Sequence, residues 1–350
     1  MTESSSSAKP KSKPINTKQL IWRGLSIVVT VVLLAYLINN IDTSEFRLLL
    51  EKVTGISLVG ALASYLSLNI FRAIRFRVLL DKSETPLRVL IPITLYHNFL
   101  VRLLPFKLGE LSYIVLLRNR LNYSMESGVS SLFGARILEL LIIVVVFAFG
   151  IVLSGEQFAA QRNSLLILVA VIFVGSVVSL YFAGTIIRVM LRVMNSLVNK
   201  MTSSPIALVN TINHKLHEMA IEFDRIRNAK LFVSALLITC LTYTTSFMTN
   251  YILLTAVGLQ REQIGLPIII TIISIGMFTS AFPFSVSGFG IVELGWFFGL
   301  TTFAGFSESL AASTGILLHG FQVGAATLYG IIGYALIHMT PPITADEQES

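Results

Sequence analysis

Apolar runs close to the ~20-residue length that spans a bilayer recur along this chain from Ile21 to Met339. In hydrocarbon every backbone N–H and C=O must be satisfied within the protein, so such runs fold as a bundle of helices. Charge content agrees: 13% of residues are Asp, Glu, Lys or Arg and mean hydropathy is +0.77, whereas an ordinary soluble domain is ~25% charged. A soluble globule does not fit. The single cysteine, Cys240, forbids an intrachain disulfide, and no Cys/His cluster has metal-ligand spacing, so redox and structural-zinc chemistry drop out. The excess of 26 Lys plus Arg over 19 Asp plus Glu reads as a record of membrane topology rather than of nucleic-acid binding.

Residues 1–20, rich in Ser and Lys with two prolines, read as a disordered basic tail in the cytoplasm. Residues 21–340 read as a single transmembrane domain and 341–350 as a second cytoplasmic tail. The first apolar run is longer than a signal-peptide core and has no small-residue cleavage site after it, so it is expected to be a retained helix. Full crossings are expected near 22–40, 55–71, 127–153, 164–187, 231–257 and 307–338. Two further apolar regions are interrupted. Region 88–117 is broken by Leu104-Pro105-Phe106-Lys107-Leu108-Gly109-Glu110, and region 264–304 by Phe282-Pro283-Phe284-Ser285-Val286-Ser287-Gly288-Phe289-Gly290. The shortest arm, of about seven residues, rises only ~10 Å and cannot cross a ~30 Å core. Both regions are therefore expected to be re-entrant helical hairpins, shielded inside the bundle because bare backbone is not tolerated in lipid.

The distribution of basic residues fits that topology. With the amino terminus inside, Lys and Arg collect in the inner segments, including Arg72–Arg88, Arg118, Arg120 and Arg188–Lys230. The outer segments keep only Arg47, Lys52, Arg162 and Arg261. A full crossing by either broken region would weaken this positive-inside asymmetry. Within the inner connector 191–229, Val209, Ile212, Leu216, Met219, Phe223 and Ile226 recur at helical spacing, which predicts an amphipathic helix at the cytoplasmic interface.

The two breaks resemble each other, with Pro105-Phe106 followed by Gly109-Glu110 in one and Pro283-Phe284 followed by Gly288, Gly290 and Glu293 in the other. Arg136 lies 26 residues beyond Glu110, and His319 lies 26 beyond Glu293. Each break is flanked by one crossing on either side, giving units 55–153 and 231–338 of opposite orientation. That is the plan of an inverted-topology repeat, which places a site at mid-membrane where broken helices meet. The expected fold class is thus an all-α polytopic membrane protein with an inverted repeat, two re-entrant hairpins and additional transmembrane helices.

Arg102, Lys107, Glu110, Arg136, Glu139 and Glu293 fall within the membrane, with His97 and His319 as titratable neighbours. Each charge there costs a few kcal/mol, so such groups face inward, pair, and mark a pathway. Glu139 lies one turn beyond Arg136, so a purely structural pairing of these two stands beside a functional one. Glu110 and Glu293, beside helix-breaking Pro and Gly, favour a functional role. Pro105, Gly109, Pro283, Gly288 and Gly290 let the chain turn; the turns could also aim freed N–H groups at an anionic headgroup. Arg72, Arg75 and Arg77 read as headgroup anchors at the inner face, or as a collector of anionic lipid.

Arg72-x-x-Arg75, Asn98 through Pro105 to Gly109-Glu110, Arg136-Ile-Leu-Glu139 and Pro283-x-Ser285-x-x-Gly288-x-Gly290-x-x-Glu293 resemble the flippase-like transmembrane region of bacterial lysylphosphatidylglycerol synthases. The likeness covers about residues 20–340. It implies translocation of a phospholipid or lipid-linked headgroup between leaflets of a prokaryotic plasma or inner membrane, without the aminoacyl-transferase domain and without enzymatic activity. His319 stands where the resemblance leads one to expect arginine.

The resulting expectation is a polar cleft in which Arg72, Arg75 and Arg102 attract a phosphate and Arg136 holds it. Glu110 and Glu293 balance the empty cavity, and Glu139, Pro105, Gly109, Pro283, Ser285, Gly288, Gly290 and His319 complete the substrate-binding set. The expected partner is a membrane phospholipid or lipid-linked substrate, with no nucleic acid, no cofactor and no metal; homo-oligomerisation is compatible with this reading. The alternative is an integral-membrane enzyme or accessory subunit acting on a lipid-linked substrate, for which the inner connector offers Glu218, Glu222, Asp224, His214 and His217.

Overall fold

The computed structural model describes residues 28, 30–80, 85–104, 108–155, 162–201, 207–226, 228–259, 264–280 and 288–340. Both expected tails lie outside the described residues, as do Pro105, Phe106, Lys107, Pro283, Phe284 and Ser285. The chain is an all-α polytopic membrane protein. Among the described residues five helices are long and apolar enough to cross a bilayer: α3 (Gly55–Leu79), α6 (Met125–Leu153), α7 (Arg162–Met201), α9 (Ala229–Ala256) and α12 (Glu308–Met339). Shorter helices are α1 (Thr30–Asn39), α2 (Thr43–Lys52), α4 (Leu87–Leu103), α5 (Leu108–Leu121), α8 (Ala207–Ile226), α10 (Leu266–Thr279) and α11 (Ile291–Ala304).

Local chemistry sets the helix starts. Thr54, Ser124, Asn228 and Ser307 cap α3, α6, α9 and α12, their side chains accepting from backbone N–H groups two or three residues on. Each cap satisfies a donor that the helix itself leaves orphaned. Along α9 the hydroxyls of Thr239, Thr242, Thr245 and Thr249 donate to carbonyls four residues back, so a threonine-rich stretch remains helical in an apolar setting.

Small residues set the packing distances, as expected where lipid tails supply no hydrophobic drive between helices. Helices α3 and α9 run antiparallel, with Ser64 Oγ donating to the Thr245 carbonyl at 2.9 Å and Thr249 Oγ1 donating to Ser64 Oγ at 3.0 Å. Helices α4 and α5 form an antiparallel pair, with Gly109 against the Leu100 backbone and Ser112 against His97. A second antiparallel pair is α10 and α11, where the Trp296 ring lies over Gly276 and Ile272 faces Gly299. Helix α12 lies along α4, and α10 lies along α6, where Gly150 meets Pro267 and Thr271.

The α4–α12 contact depends on absent side chains. A Cβ at Gly333 would sit 2.7 Å from the Pro92 carbonyl oxygen and 2.9 Å from Leu95 Cβ, and one at Gly330 would overlap Phe99. Gly333→Leu is therefore expected to force the two helices apart and cost about 1–3 kcal/mol through overpacking. A thermal midpoint equal to that of the parent in detergent would refute this.

Three boundaries differ from the sequence expectation, and α2, capped by Asp42, was not anticipated. The arm after the first break is α5, 14 residues starting at Leu108 inside the expected break rather than about seven beyond it, a rise of about 21 Å against a ~30 Å core. Helix α3 continues eight residues past the expected end at 71, because Arg72 and Arg75 find partners inside the bundle rather than at the headgroups. Helix α7 runs unbroken to Met201, and the connector helix α8 spans Ala207–Ile226. Toward its C-terminal end the stripe of α8 packs on protein: Phe223 and Ile226 are buried in one core cluster with Leu79, Leu121 and Leu138. Ion pairs hold it there, Arg188 with Asp224 at 2.5 Å and Lys215 with Glu126 at 3.2 Å. By contrast Ile167, Val171, Val174 and Val178 of α7 are exposed, as suits a helix facing lipid.

Candidate functional site

Glu139, itself buried, lies at the centre of a charge network that runs from the buried Arg75 to the more open Arg136. Its Oε1 accepts from Arg75 Nη2, and its Oε2 accepts from Arg136 Nη1 at 2.6 Å. Arg136 extends its second nitrogen, Nη2, to Glu110 Oε1 at 2.5 Å. Three helices thus meet through four charges: Arg75 from α3, Glu110 from α5, and Arg136 with Glu139 from α6. Arg75 is 1% exposed, a position tolerable for a guanidinium only when it is paired.

His97 of α4 adds to this network. Ser112 Oγ donates to the Gly109 carbonyl at 2.6 Å, which leaves it an acceptor for His97 Nδ1 at 3.0 Å. His97 thus meets Ser112 through Nδ1 and turns Nε2 toward Glu110 Oε2, 4.0 Å away.

A corresponding pair occupies the second half of the chain. Glu293 Oε1 accepts from His319 Nδ1 at 2.8 Å, and Glu293 Oε2 accepts from the Gly290 N–H at 2.8 Å. Gly290, at φ 85°, begins α11, and the carboxylate sits where the helix dipole favours negative charge. The backbone donor that the sequence offered to an anionic ligand at Gly290 is thus engaged by the protein's own Glu293. Both residues of the acid–histidine pair are almost fully buried, and His319 Nε2 has no partner among the described residues.

These two halves face one cavity of about 100 Å³. Arg72, Arg75, Arg102 and Arg136 line it, with Glu139 as the carboxylate among them, and Ser280, Gly288 and His319 close it from the other half. Arg72 Nη1 donates to Asn98 Oδ1 at 2.9 Å, and Arg102 Nη2 donates to Gln322 Oε1 at 3.1 Å. Those acceptors are neutral, so neither contact offsets the positive charge. Arg75 Nε and Nη1 and Arg102 Nε have no hydrogen-bond partner among the described residues. Four guanidiniums against Glu139 and Glu110 leave an excess of two positive charges with unspent donors. An oxyanion, above all a phosphate, is the complement to that arrangement.

Of the residues singled out in the sequence, Arg72, Arg75, Arg102, Arg136, Glu139, Gly288 and His319 line the cavity. Glu110 and Glu293 stand directly behind Arg136 and His319. Gly109 serves the α4–α5 contact and Gly290 the start of α11, while Pro105, Pro283 and Ser285 lie outside the described residues. Ser280, Gln322 and Asn250 were not anticipated. Gln322 lies one turn after His319 on α12, a spacing that could have found it; Asn250 is read only from its contact, accepting from Gln322 Nε2 at 2.9 Å.

A family model described as the lysylphosphatidylglycerol synthase TM region matches residues 24–330 of the chain. No curated protein and no solved structure matches it.

Proposed function

Because this chain belongs to the family of the lysylphosphatidylglycerol synthase transmembrane region, we propose that it moves a phospholipid or lipid-linked headgroup between leaflets through the arginine-lined cavity. Membership carries a lipid-handling, flippase-type role at the level of the family; the route and the residues are our reading. The observation that carries it is the cavity itself, lined by four arginines and Glu139 from the first half of the chain and by His319, bonded to Glu293, from the second. Arg136 and Arg102 grip the phosphate, Arg72 draws it in, and Arg75 holds Glu139 in place. Glu110 and Glu139 offset two of the four arginine charges and leave the empty cavity positive, ready for an anionic headgroup. The acyl chains stay in lipid.

The same reading includes two re-entrant hairpins, α4–α5 and α10–α11, within inverted repeats spanning 55–153 and 231–338. Equivalent contacts support it. Helix α3 lies antiparallel to its counterpart α9, α4 packs on α12 as α10 packs on α6, and the two pairs spaced by 26 residues, Glu110–Arg136 and Glu293–His319, are both in contact. Exchange of the two halves maps each of these contacts onto another. Both termini lie on the cytoplasmic side in this scheme, in keeping with the basic inner segments.

Reconstituted in liposomes, Glu110→Gln and Glu293→Gln are each expected to slow leaflet exchange of a labelled phospholipid several-fold while the protein stays monodisperse. Arg136 keeps Glu139 in the first variant, and a glutamine oxygen can still accept from Gly290 in the second. Full exchange in both variants would overturn the cleft mechanism.

A further inference from the structure

Moved 183 residues along the chain, Glu110, Arg136 and Glu139 fall on Glu293, His319 and Gln322. Their contacts move with them. Glu139 bonds Arg75 on α3, and Gln322 Nε2 donates to Asn250 Oδ1 on α9 at 2.9 Å; Glu110 bonds Arg136, and Glu293 bonds His319. The first set holds two guanidiniums against two carboxylates, so its charges cancel. The matching set, Asn250, Gln322, His319 and Glu293, keeps one fixed charge, that of Glu293. It is neutral only when the imidazole carries a second proton. Nδ1 is engaged by Glu293, whereas Nε2 has no partner among the described residues. That edge of the ring lies beside Gly288, where a Cβ would meet Cε1 and Nε2 at 3.6 Å, and Gly288 and His319 both line the arginine cavity.

We infer that the Glu293–His319 pair is a proton-binding site, loaded together with the anionic headgroup and emptied with it at the opposite leaflet. The inference rests on the translocation reading and adds a co-transported ion to it. Water in the cavity supplies the proton, an N–H bond forms at Nε2, and the imidazolium stays paired with Glu293. Arg72 and Arg75 of α3, His97 and Arg102 of α4, and Arg136 and Glu139 of α6 share the cavity with His319. Helix α9 contributes Tyr243, from an adjoining chamber of about 60 Å³ that shares Arg72 and Arg102. Helix α2 meets α12 at Ser309, about three turns before His319, and brings no charge to the cavity among the described residues. His97 differs from His319 in that Ser112 and Glu110 face its two ring nitrogens. Four guanidiniums against Glu110 and Glu139 oppose a further positive charge in the empty cavity. A bound phosphate reverses that field, so anion and proton strengthen each other's binding by the same factor.

Calorimetry of the full chain in detergent, titrated with dimethyl phosphate in buffers of differing ionisation heat, counts the protons taken up with each anion. This diester does not itself titrate near neutrality. Uptake approaching one proton per anion is expected, with affinity rising up to about tenfold for each pH unit lowered. His319→Gln can still donate to Glu293 but cannot titrate, and is expected to bind the anion without uptake; His97→Gln is expected to retain uptake. No uptake by the parent, or undiminished uptake in His319→Gln, would overturn the proton site while the phosphate site stands. Loss of anion binding in a monodisperse His319→Gln protein would make the imidazole a structural donor and overturn it as well. A second measurement uses phosphatidylcholine vesicles with a pH difference across them. One monoanion moving with one proton carries no net charge, so a labelled anionic phospholipid is expected to accumulate about tenfold per pH unit in the leaflet facing the alkaline side. Exchange to an even distribution would overturn the coupling alone. No exchange would overturn the translocation reading and this inference with it.

Discussion

Glu139→Gln is expected to destabilise the protein by about 3–5 kcal/mol, the cost of removing one partner from a buried ion pair. Two arginines depend on this carboxylate, and they do so unequally. Arg136 retains Glu110 at 2.5 Å, but Arg75, 1% exposed, has no other anionic partner among the described residues. A neutral amide leaves that guanidinium buried and uncompensated. The variant should lose several degrees of thermal midpoint in detergent, or fail to purify as a single species. Combining Arg75→Met with Glu139→Leu removes both members of the orphaned pair and leaves Arg136 with Glu110. Recovery of the midpoint in that double variant is expected, since an apolar replacement of a buried pair is often neutral. An unchanged midpoint in Glu139→Gln would show that the network does not hold α3 to α6.

Arg102→Gln should behave in the opposite way, with function lost and fold kept. Its guanidinium forms no ion pair among the described residues; it donates to Gln322 at 3.1 Å and leaves Nε unspent. It also borders both chambers, so a phosphate passing either way meets it. A charged hydrogen bond contributes about 1.5–3 kcal/mol, and its loss should slow leaflet exchange roughly 10- to 100-fold. The thermal midpoint should stay within a degree or two of the parent. Exchange at the parental rate by a well-folded Arg102→Gln protein would remove this arginine from the transport path. The contrast between the two substitutions separates charges that hold helices together from charges kept available for a ligand.

That division was only partly legible in the residues. The spacing of 26 between Glu110 and Arg136, and between Glu293 and His319, pointed to related positions, and both pairs are in contact. Arg136 with Glu139 was readable from one helical turn. The role of Arg75 was not, since its place just past an apolar run looks like a headgroup anchor. Helix α3 in fact carries it inward to meet Glu139, 64 residues away. The α8 stripe was legible as an apolar face, but amphipathicity does not state which protein side chains that face meets; here Phe223 and Ile226 join Leu79, Leu121 and Leu138. Trp296, Thr249 and Asn250 carry no mark in the sequence that sets them apart from ordinary membrane-helix residues.

The sequence by itself determined that this is a helical membrane protein, roughly where its long membrane helices from residue 55 onward begin, and that ionisable residues are confined to a few places along it. Those properties follow from local requirements, since hydrocarbon obliges each segment to satisfy its own backbone and makes each stray charge costly. Only the tertiary structure decided which carboxylate neutralises which arginine, that Arg102 has no counter-ion among the described residues, and that a second polar chamber adjoins the first. Such outcomes depend on the rotation and approach of helices distant in sequence, set here by close contacts such as those at Gly276 and Gly333, and periodicity along one helix does not encode them.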